Sequence, residues 1–363
     1  MNIYDYVDNY GIYTFDEKPI TLVDKVIFSF LSYVNFQGIV KYNKITIKEA
    51  GRIHLGMHKL NEVNIIAVKE AHKLLRYIKD TNRYKDCLLY NYIYEGTENL
   101  QFGVICIEFQ KNKVFVSYEG TDQLISGWKE DIVLAYRTNT LSHKKAIRYL
   151  NRFFTFTNKQ LIIGGHSKGG NLALVASMYS NFLVRSQIKE VLNVDGPGLL
   201  DVEFYSRELK KILPRYKHIV PENSLVGMLL NNANETVINT TISGPITHNI
   251  AYWEIKNDKF VLTKLSKFSE ELRKDILHWL TVTHKNDIRK LAKNFQNIFE
   301  SAGVNSLIDI KKKKRLVFEL VEESKNMDPE AKRVLINFLK MVVKSYGDTY
   351  IDEVKNKIKD YVD

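Results

Sequence analysis

The chain has 363 residues, 45% of them hydrophobic, 26% charged and only 6 proline, which is enough to bury a full core and excludes a disordered, collagen-like or low-complexity protein. Its formal net charge of +11 comes from scattered Lys and Arg, with one dense run at Lys311-Lys312-Lys313-Lys314-Arg315. No zinc-finger spacing, RNA-recognition signature or phosphate-loop pattern accompanies that run. It is read as a solvated helix face, with attraction to an anionic membrane surface ahead of nucleic acid.

Cys87 and Cys106 are the two cysteines, and the opening Met1 to Tyr10 carries Asp5 and Asp8 rather than an apolar run. A reducing, cytoplasmic setting without a disulfide framework or secretion signal is expected. Apolar stretches such as Val26 to Val34 fall well short of the ~20 residues that cross a bilayer, so no membrane span is expected.

In chain order, Asp16 to Tyr94 reads as mainly helical. Leu22, Val26, Phe30, Val34 and then Ala71, Leu74, Leu75, Ile78 recur at spacings of three and four. The period changes over Gln101 to Tyr118, where two β-rich runs, Gly103 to Ile107 and Val114 to Tyr118, flank the polar Gln110-Lys111-Asn112-Lys113 turn. Helices are then expected near Trp128 to Tyr136, over His143 to Phe156, from Gly169 to Asn181 and over Val202 to Ile212. Strands are expected over Gln160 to Gly164, Glu190 to Val194 and Tyr216 to Val220. This alternation predicts an α/β protein with a mostly parallel sheet flanked by helices. After Trp253 to Leu262, Ser269 to Val362 is charged and almost free of Gly and Pro. The expected organisation is an N-terminal helical segment over 1–95, an α/β core over 96–265 and a C-terminal helical appendage over 266–363.

The run Leu161-Ile162-Ile163-Gly164 leads into Gly165-His166-Ser167-Lys168-Gly169, which fits G-x-S-x-G, and Asn171 to Ala176 begins a helix. Strand, sharp turn and helix are the setting in which a serine is exposed as a nucleophile, with small neighbours letting the two elements approach. The reading is an α/β-hydrolase fold with Ser167 as nucleophile. The Lys168 N–H at the helix start would supply one oxyanion donor, and Thr121, after Val116-Ser117-Tyr118-Glu119-Gly120, the other. The Lys168 ammonium opposes the helix dipole, so either a structural pairing or a role toward an anionic substrate is expected of it.

These residues resemble the class 3 lipases. Tyr118-Glu119-Gly120-Thr121 with Trp128 and Asp131 matches their aromatic-x-Gly-Ser/Thr strand end, and Gly165 to Ala173 matches their nucleophile turn. The likeness is closer to bacterial lipase-like α/β hydrolases with Lys after the serine (Gly-His-Ser-Lys-Gly-Gly-Asn), Asp-Gly-Pro-Gly after the next strand and a late His before Trp. Lys168, Asp195-Gly196-Pro197-Gly198, His248 and Trp253 carry that pattern, and the resemblance spans roughly residues 20 to 300.

A serine needs a histidine base, and this fold orders the residues serine, acid, histidine. Of His218, His248, His278 and His284, His218 falls in an expected buried strand and the last two in the helical tail. His248, in a loop before a strand, is the expected base. His166 is read as a brace of the turn, because adjacent residues there point apart. For the acid, Asp195 at the end of Val191 to Val194 is preferred, Glu222 after the next strand comes second, and Asp201 or Asp258 stay open. The position at which class 3 lipases carry their acid corresponds to Ser224. His54 and His58 lack the glutamate of a zincin helix and a third ligand, so they are read as helix-surface histidines, and no metal or cofactor is expected. Together these features predict a serine ester hydrolase acting on an ester or lipid-like small molecule. An acyltransferase using the same residues, or a catalytically silent lipid- or protein-binding protein, is the alternative.

Overall fold

The structure is a computed structural model and describes residues 1–58, 66–97, 100–121, 139–283, 329 and 332. Eight strands form one sheet in sequential order: β1 (Ile45–Thr46), β2 (Leu88–Thr97), β3 (Leu100–Gln110), β4 (Lys113–Tyr118), β5 (Gln160–His166), β6 (Ile188–Val194), β7 (Tyr216–Pro221) and β8 (Glu235–Ile238). β1 to β4 pair antiparallel, and β4 to β8 pair parallel. β3 and β4 form the expected hairpin, with Asn112 at φ 63° in the turn, a conformation asparagine tolerates well.

Sequential order in the parallel half has a geometric consequence. Right-handed crossovers that all advance in one direction put every connecting helix on the same face. That face carries α5 (Leu141–Phe154), α6 (Lys168–Tyr179), α7 (Phe182–Gln187), α8 (Asp201–Phe204) and α9 (Arg207–Ile212). Val104, Val114, Val116, Leu161, Ile163 and Val191 point into its core, against Ala146, Leu150, Leu172 and Ile212.

The alternate residues, Ile105, Ile107, Phe115, Ile162, Leu192 and Ile219, face a second core that those helices cannot reach. The N-terminal helices cover it: α1 (Ile3–Tyr10), α2 (Leu22–Leu31), α3 (Ile47–Met57) and α4 (Ile66–Ile78). α2 lies on β4 and β5 with Val23 to Leu31 all buried, and its polar Asp24, Lys25 and Ser29 are each hydrogen-bonded, as polar side chains on a helix packed on every side must be. A small hairpin, β9 (Ile255–Lys256) with β10 (Lys259–Phe260), closes the same core through Trp253.

Several expectations shift. β1 and β2 interrupt the stretch expected to be helical, and β2 enters the sheet ahead of residue 96, because the antiparallel half needs partners for β3. The helix expected over Val202 to Ile212 is split at Ser206, whose hydroxyl accepts the Leu209 N–H (3.2 Å) and starts a new helix. His54 is a core residue, not a surface one. It is 4% exposed, its Nδ1 bonds Asn35 O (3.0 Å) and its Nε2 meets His72 Nδ1 (3.2 Å). Burial, then the nearby His58 and His72, hold its pKa down to about 4. α10 (Lys267–Val282) is the last helix before the undescribed stretch that follows residue 283. The helix expected near Trp128 to Tyr136, Asp131, His284 and the Lys311 to Arg315 run lie outside the described residues. Among the described residues no helix is long and apolar enough to cross a membrane.

Candidate active site

Parallel strands deliver their C-terminal ends to one edge of the sheet, where loops can converge. At that edge β4 ends in Tyr118 to Thr121, β5 in Ser167, β6 in Asp195 and β7 in Glu222. Ser167 stands between β5 and α6 at φ 57°, ψ −133°, a backbone conformation that a non-glycine residue adopts only under constraint. The constraint is visible. Ser167 N–H donates to Val194 O (2.9 Å), and Ser167 O accepts from Gly170 N–H (2.9 Å). A Cβ on Gly169 would sit 2.1 Å from Tyr118 O, and one on Gly165 would sit 2.4 Å from the Gly169 carbonyl carbon. Only glycines let β4, β5 and the first turn of α6 come this close.

Asp195 is fully buried and has φ 48°, and its N–H donates to Ile219 O (2.7 Å). Its Oδ2 accepts from His248 Nδ1 at 2.7 Å, and its Oδ1 accepts from Ser224 Oγ at 2.5 Å and Gly227 N–H at 3.2 Å. His248 lies in a short turn, Pro245–His248, entered through Gly244 at φ 91°. Trp253 Nε1 donates to Thr247 O (2.8 Å) and anchors the turn to the second core.

His166 ties this turn to the Ser167 turn. Its Nε2–H donates to the His248 carbonyl (2.9 Å), so its Nδ1 accepts from Tyr33 Oη (2.9 Å), and the two imidazoles pack at a tilt of 40° with centroids 4.3 Å apart. Burial, and then the neighbouring His248, push its pKa far down, which keeps it neutral in this tautomer. His248 keeps 29% of its side chain exposed, and Ser167 Oγ has no hydrogen bond to it in this conformation.

Gly120 lies against Ser167, since a Cβ there would stand 3.1 Å from Ser167 Cβ. Thr121 follows it at the same edge. Lys168 begins α6 directly after Ser167. Its side chain is 1% exposed and its Nζ donates to Gln101 O (3.0 Å), while Gln101 Nε2 donates to Gly120 O (3.3 Å).

The structure thus gathers Ser167, Lys168, Thr121, Asp195 and His248 at one edge and joins Asp195 to His248. It does not bring Glu222 to the histidine. Glu222 Oε1 accepts from Thr240 Oγ1 (3.2 Å) and Asn223 Nδ2 (3.3 Å) instead. Asp201 pairs with Asn231 (2.7 Å) away from the histidine, and His218 is buried in β7 with its Nε2 on Gly196 O (3.2 Å). Sequence reading missed the positions of Tyr33 and Gly227, and it noted Ser224 only as a departure from a pattern. No local signal marks Tyr33, which acts across 133 residues of chain. Among the described residues no group of three or more His, Cys, Asp or Glu is placed to hold a metal ion.

A mostly parallel sheet between two helical layers, with a strained serine turn and a histidine after the last parallel strand, is the α/β-hydrolase fold. The chain belongs to the Mbeg1-like family, whose model matches residues 78–300. No curated protein matches it. Among solved structures it is similar to M37 lipase, with 14% identity over 57% of this chain and 69% of that one and a TM-score of 0.35. It is also similar to the Rhizomucor miehei lipase propeptide complex, with 12% identity over 60% of this chain and 68% of that one, TM-score 0.35. A fungal lipase–inhibitor complex gives 12% identity over 60% of this chain and 80% of that one, again at 0.35.

Proposed function

We propose that the protein is a serine ester hydrolase in which Ser167, His248 and Asp195 form a triad and Ser167 carries an acyl-enzyme intermediate. The observation that supports this most directly is the 2.7 Å contact between His248 Nδ1 and a buried Asp195, placed beside a serine held at positive φ. In this reading His248 Nε2 takes the Ser167 proton as Oγ attacks an ester carbonyl. Asp195 keeps the imidazole in the Nδ1–H tautomer and stabilises the imidazolium. The Lys168 N–H and Thr121 receive the developing oxyanion. The leaving alcohol takes the proton from His248, and water, deprotonated by the same residue, releases the acid.

The chain is read as part of the Gly-His-Ser-Lys-Gly-Gly-Asn branch of lipase-like hydrolases. Its substrate is read as an ester or lipid-like small molecule, in a cytoplasmic setting with which the buried free thiols of Cys87 and Cys106 agree. Contact with an anionic membrane surface belongs to the same reading. Phe156 (96% exposed), Phe182 (73%) and Leu183 (48%) form one corner, because Asn181 N–H and Nδ2 bond Asn151 Oδ1 and Thr155 Oγ1 across it. Residues 151–160 and 181–189 carry Arg152, Lys159, Arg185 and Lys189 and no carboxylate.

The test is labelling with a fluorophosphonate probe, followed by a screen of p-nitrophenyl esters of rising chain length. Wild type is expected to label at Ser167 and turn over, and Ser167→Ala to do neither while melting at the same temperature. An unlabelled wild type would favour the catalytically silent binding protein. Product made only when an alcohol acceptor is supplied would favour acyl transfer.

A further inference from the structure

The oxygen of Asp195 that does not face His248 is held by groups remote from any bond-making atom. Ser224 Oγ donates to it at 2.5 Å, and Gly227 N–H reaches both it (3.2 Å) and Ser224 Oγ (3.1 Å). Ser224 is 1% exposed, so its hydroxyl has no route to a substrate. Its turn is held in turn by α10. Ser269, fully buried in the first turn of that helix, has its hydroxyl between Ser224 O (2.9 Å) and Glu222 O (3.1 Å), to which its single hydrogen donates in turn or as a bifurcated bond, and Ser266 N–H donates to Glu222 O (2.9 Å).

A second relay leaves the same helix. Arg273 Nη2 bonds both oxygens of Glu235 (2.6 and 2.7 Å), and Glu235 Oε1 lies 3.4 Å from His218 Nδ1. His218 Nε2 then donates to Gly196 O at 3.2 Å, one residue past Asp195.

A carboxylate rotates about two single bonds, and a displaced oxygen tilts the imidazole it holds. At a reacting centre about 1 Å of misplacement costs on the order of a hundredfold in rate. We infer that Ser224 is the positioning residue of the acid, and that α10, through Ser269, sets Ser224, which makes this C-terminal helix a working part of the site. The inference rests on the reading of Ser167, His248 and Asp195 as a triad.

The test compares Ser224→Ala and Ser269→Ala with wild type, in the full chain, by p-nitrophenyl ester kinetics, thermal melting and the low-field proton resonance of the His248 Nδ1–H. Ser224→Ala is expected to lower kcat about ten- to a hundredfold at unchanged KM. It should also broaden or abolish the low-field resonance, with melting nearly unchanged. Ser269→Ala is expected to act in the same direction and less. Wild-type kcat and an intact resonance in Ser224→Ala would overturn the inference while leaving the triad standing. So would a kcat loss with the resonance intact, or one that only tracks a fall in melting temperature. A wild type that neither labels nor turns over would instead remove the triad reading, and the inference with it.

Discussion

A lysine next to a nucleophilic serine invites a catalytic or substrate-binding role, and the sequence leaves that role open. Burial decides it. The Lys168 ammonium lies under the helix start, on the Gln101 carbonyl, and Gln101 in turn holds Gly120 beside Ser167. The cation therefore fastens α6, β3 and the loop of Thr121 to one another. Lys168→Met is expected to lose about 1–3 kcal/mol of stability, because it leaves a buried carbonyl without its donor. Turnover of anionic and neutral esters should fall by the same factor. Chemical denaturation with parallel kinetics on the two ester classes checks this, and a loss confined to anionic esters would return the ammonium to the substrate. At the same scale, the strained turn of Ser167 and the loop of His248 were legible because the turn is written in adjacent glycines and the histidine stands in an isolated loop. The sequence preferred Asp195 but kept Glu222 open, because both end adjacent parallel strands and only side-chain direction, seen in the His248 contact, separates them.

The N-terminal helices show how an element is held by one buried charge. Asp24 closes the capping box of α2 and also accepts from Arg83 Nε (2.7 Å) and Nη2 (2.6 Å), Tyr84 Oη (2.6 Å) and Tyr6 Oη (3.1 Å). Both ionic side chains are fully buried, and Arg83 spends its remaining donors on Lys18 O (3.1 Å) and Pro19 O (3.0 Å). Removing one partner of such a pair strands the other charge in the core, so Arg83→Met is expected to cost about 3–5 kcal/mol. The double variant Arg83→Met, Asp24→Asn should recover part of that loss. Urea midpoints of the three proteins check this, and a single-variant loss under about 1 kcal/mol would show that the pair is exposed to water. Periodicity announced α2 through Leu22, Val26 and Phe30 but described it as one-faced. Its other faces are buried by α4 and the β9–β10 hairpin, which sequence spacing does not report.

Over the whole molecule, the exposed corner of Phe156, Phe182 and Leu183 sits at the N-terminal ends of β5 and β6, and Ser167 sits at the C-terminal ends. Docking by that corner would turn the catalytic edge away from the lipid, toward dissolved substrate. The protein is expected to co-sediment with phosphatidylglycerol vesicles and to be released by salt, while phosphatidylcholine vesicles leave it in solution. Phe156→Ser with Phe182→Ser should weaken binding tenfold or more, given about 1.5–3 kcal/mol for each buried phenylalanine. Equal binding of the double variant and wild type would locate the contact elsewhere.

By itself the sequence determined what depends on near neighbours: the period-2 strands, the Gly165–Ser167–Gly169 turn, the helix that follows it, and the α/β alternation that predicts a mostly parallel sheet flanked by helices. The tertiary structure alone decided what depends on distant residues meeting. It set which carboxylate meets His248, which carbonyl fixes the tautomer of His166, and which helices cover the face that the crossovers leave bare. It also placed α10 behind Ser224 and Asp195. The division is physical: a backbone turn or a hydrophobic period is written in adjacent residues, whereas a hydrogen bond across the core depends on the packed positions of the elements between them.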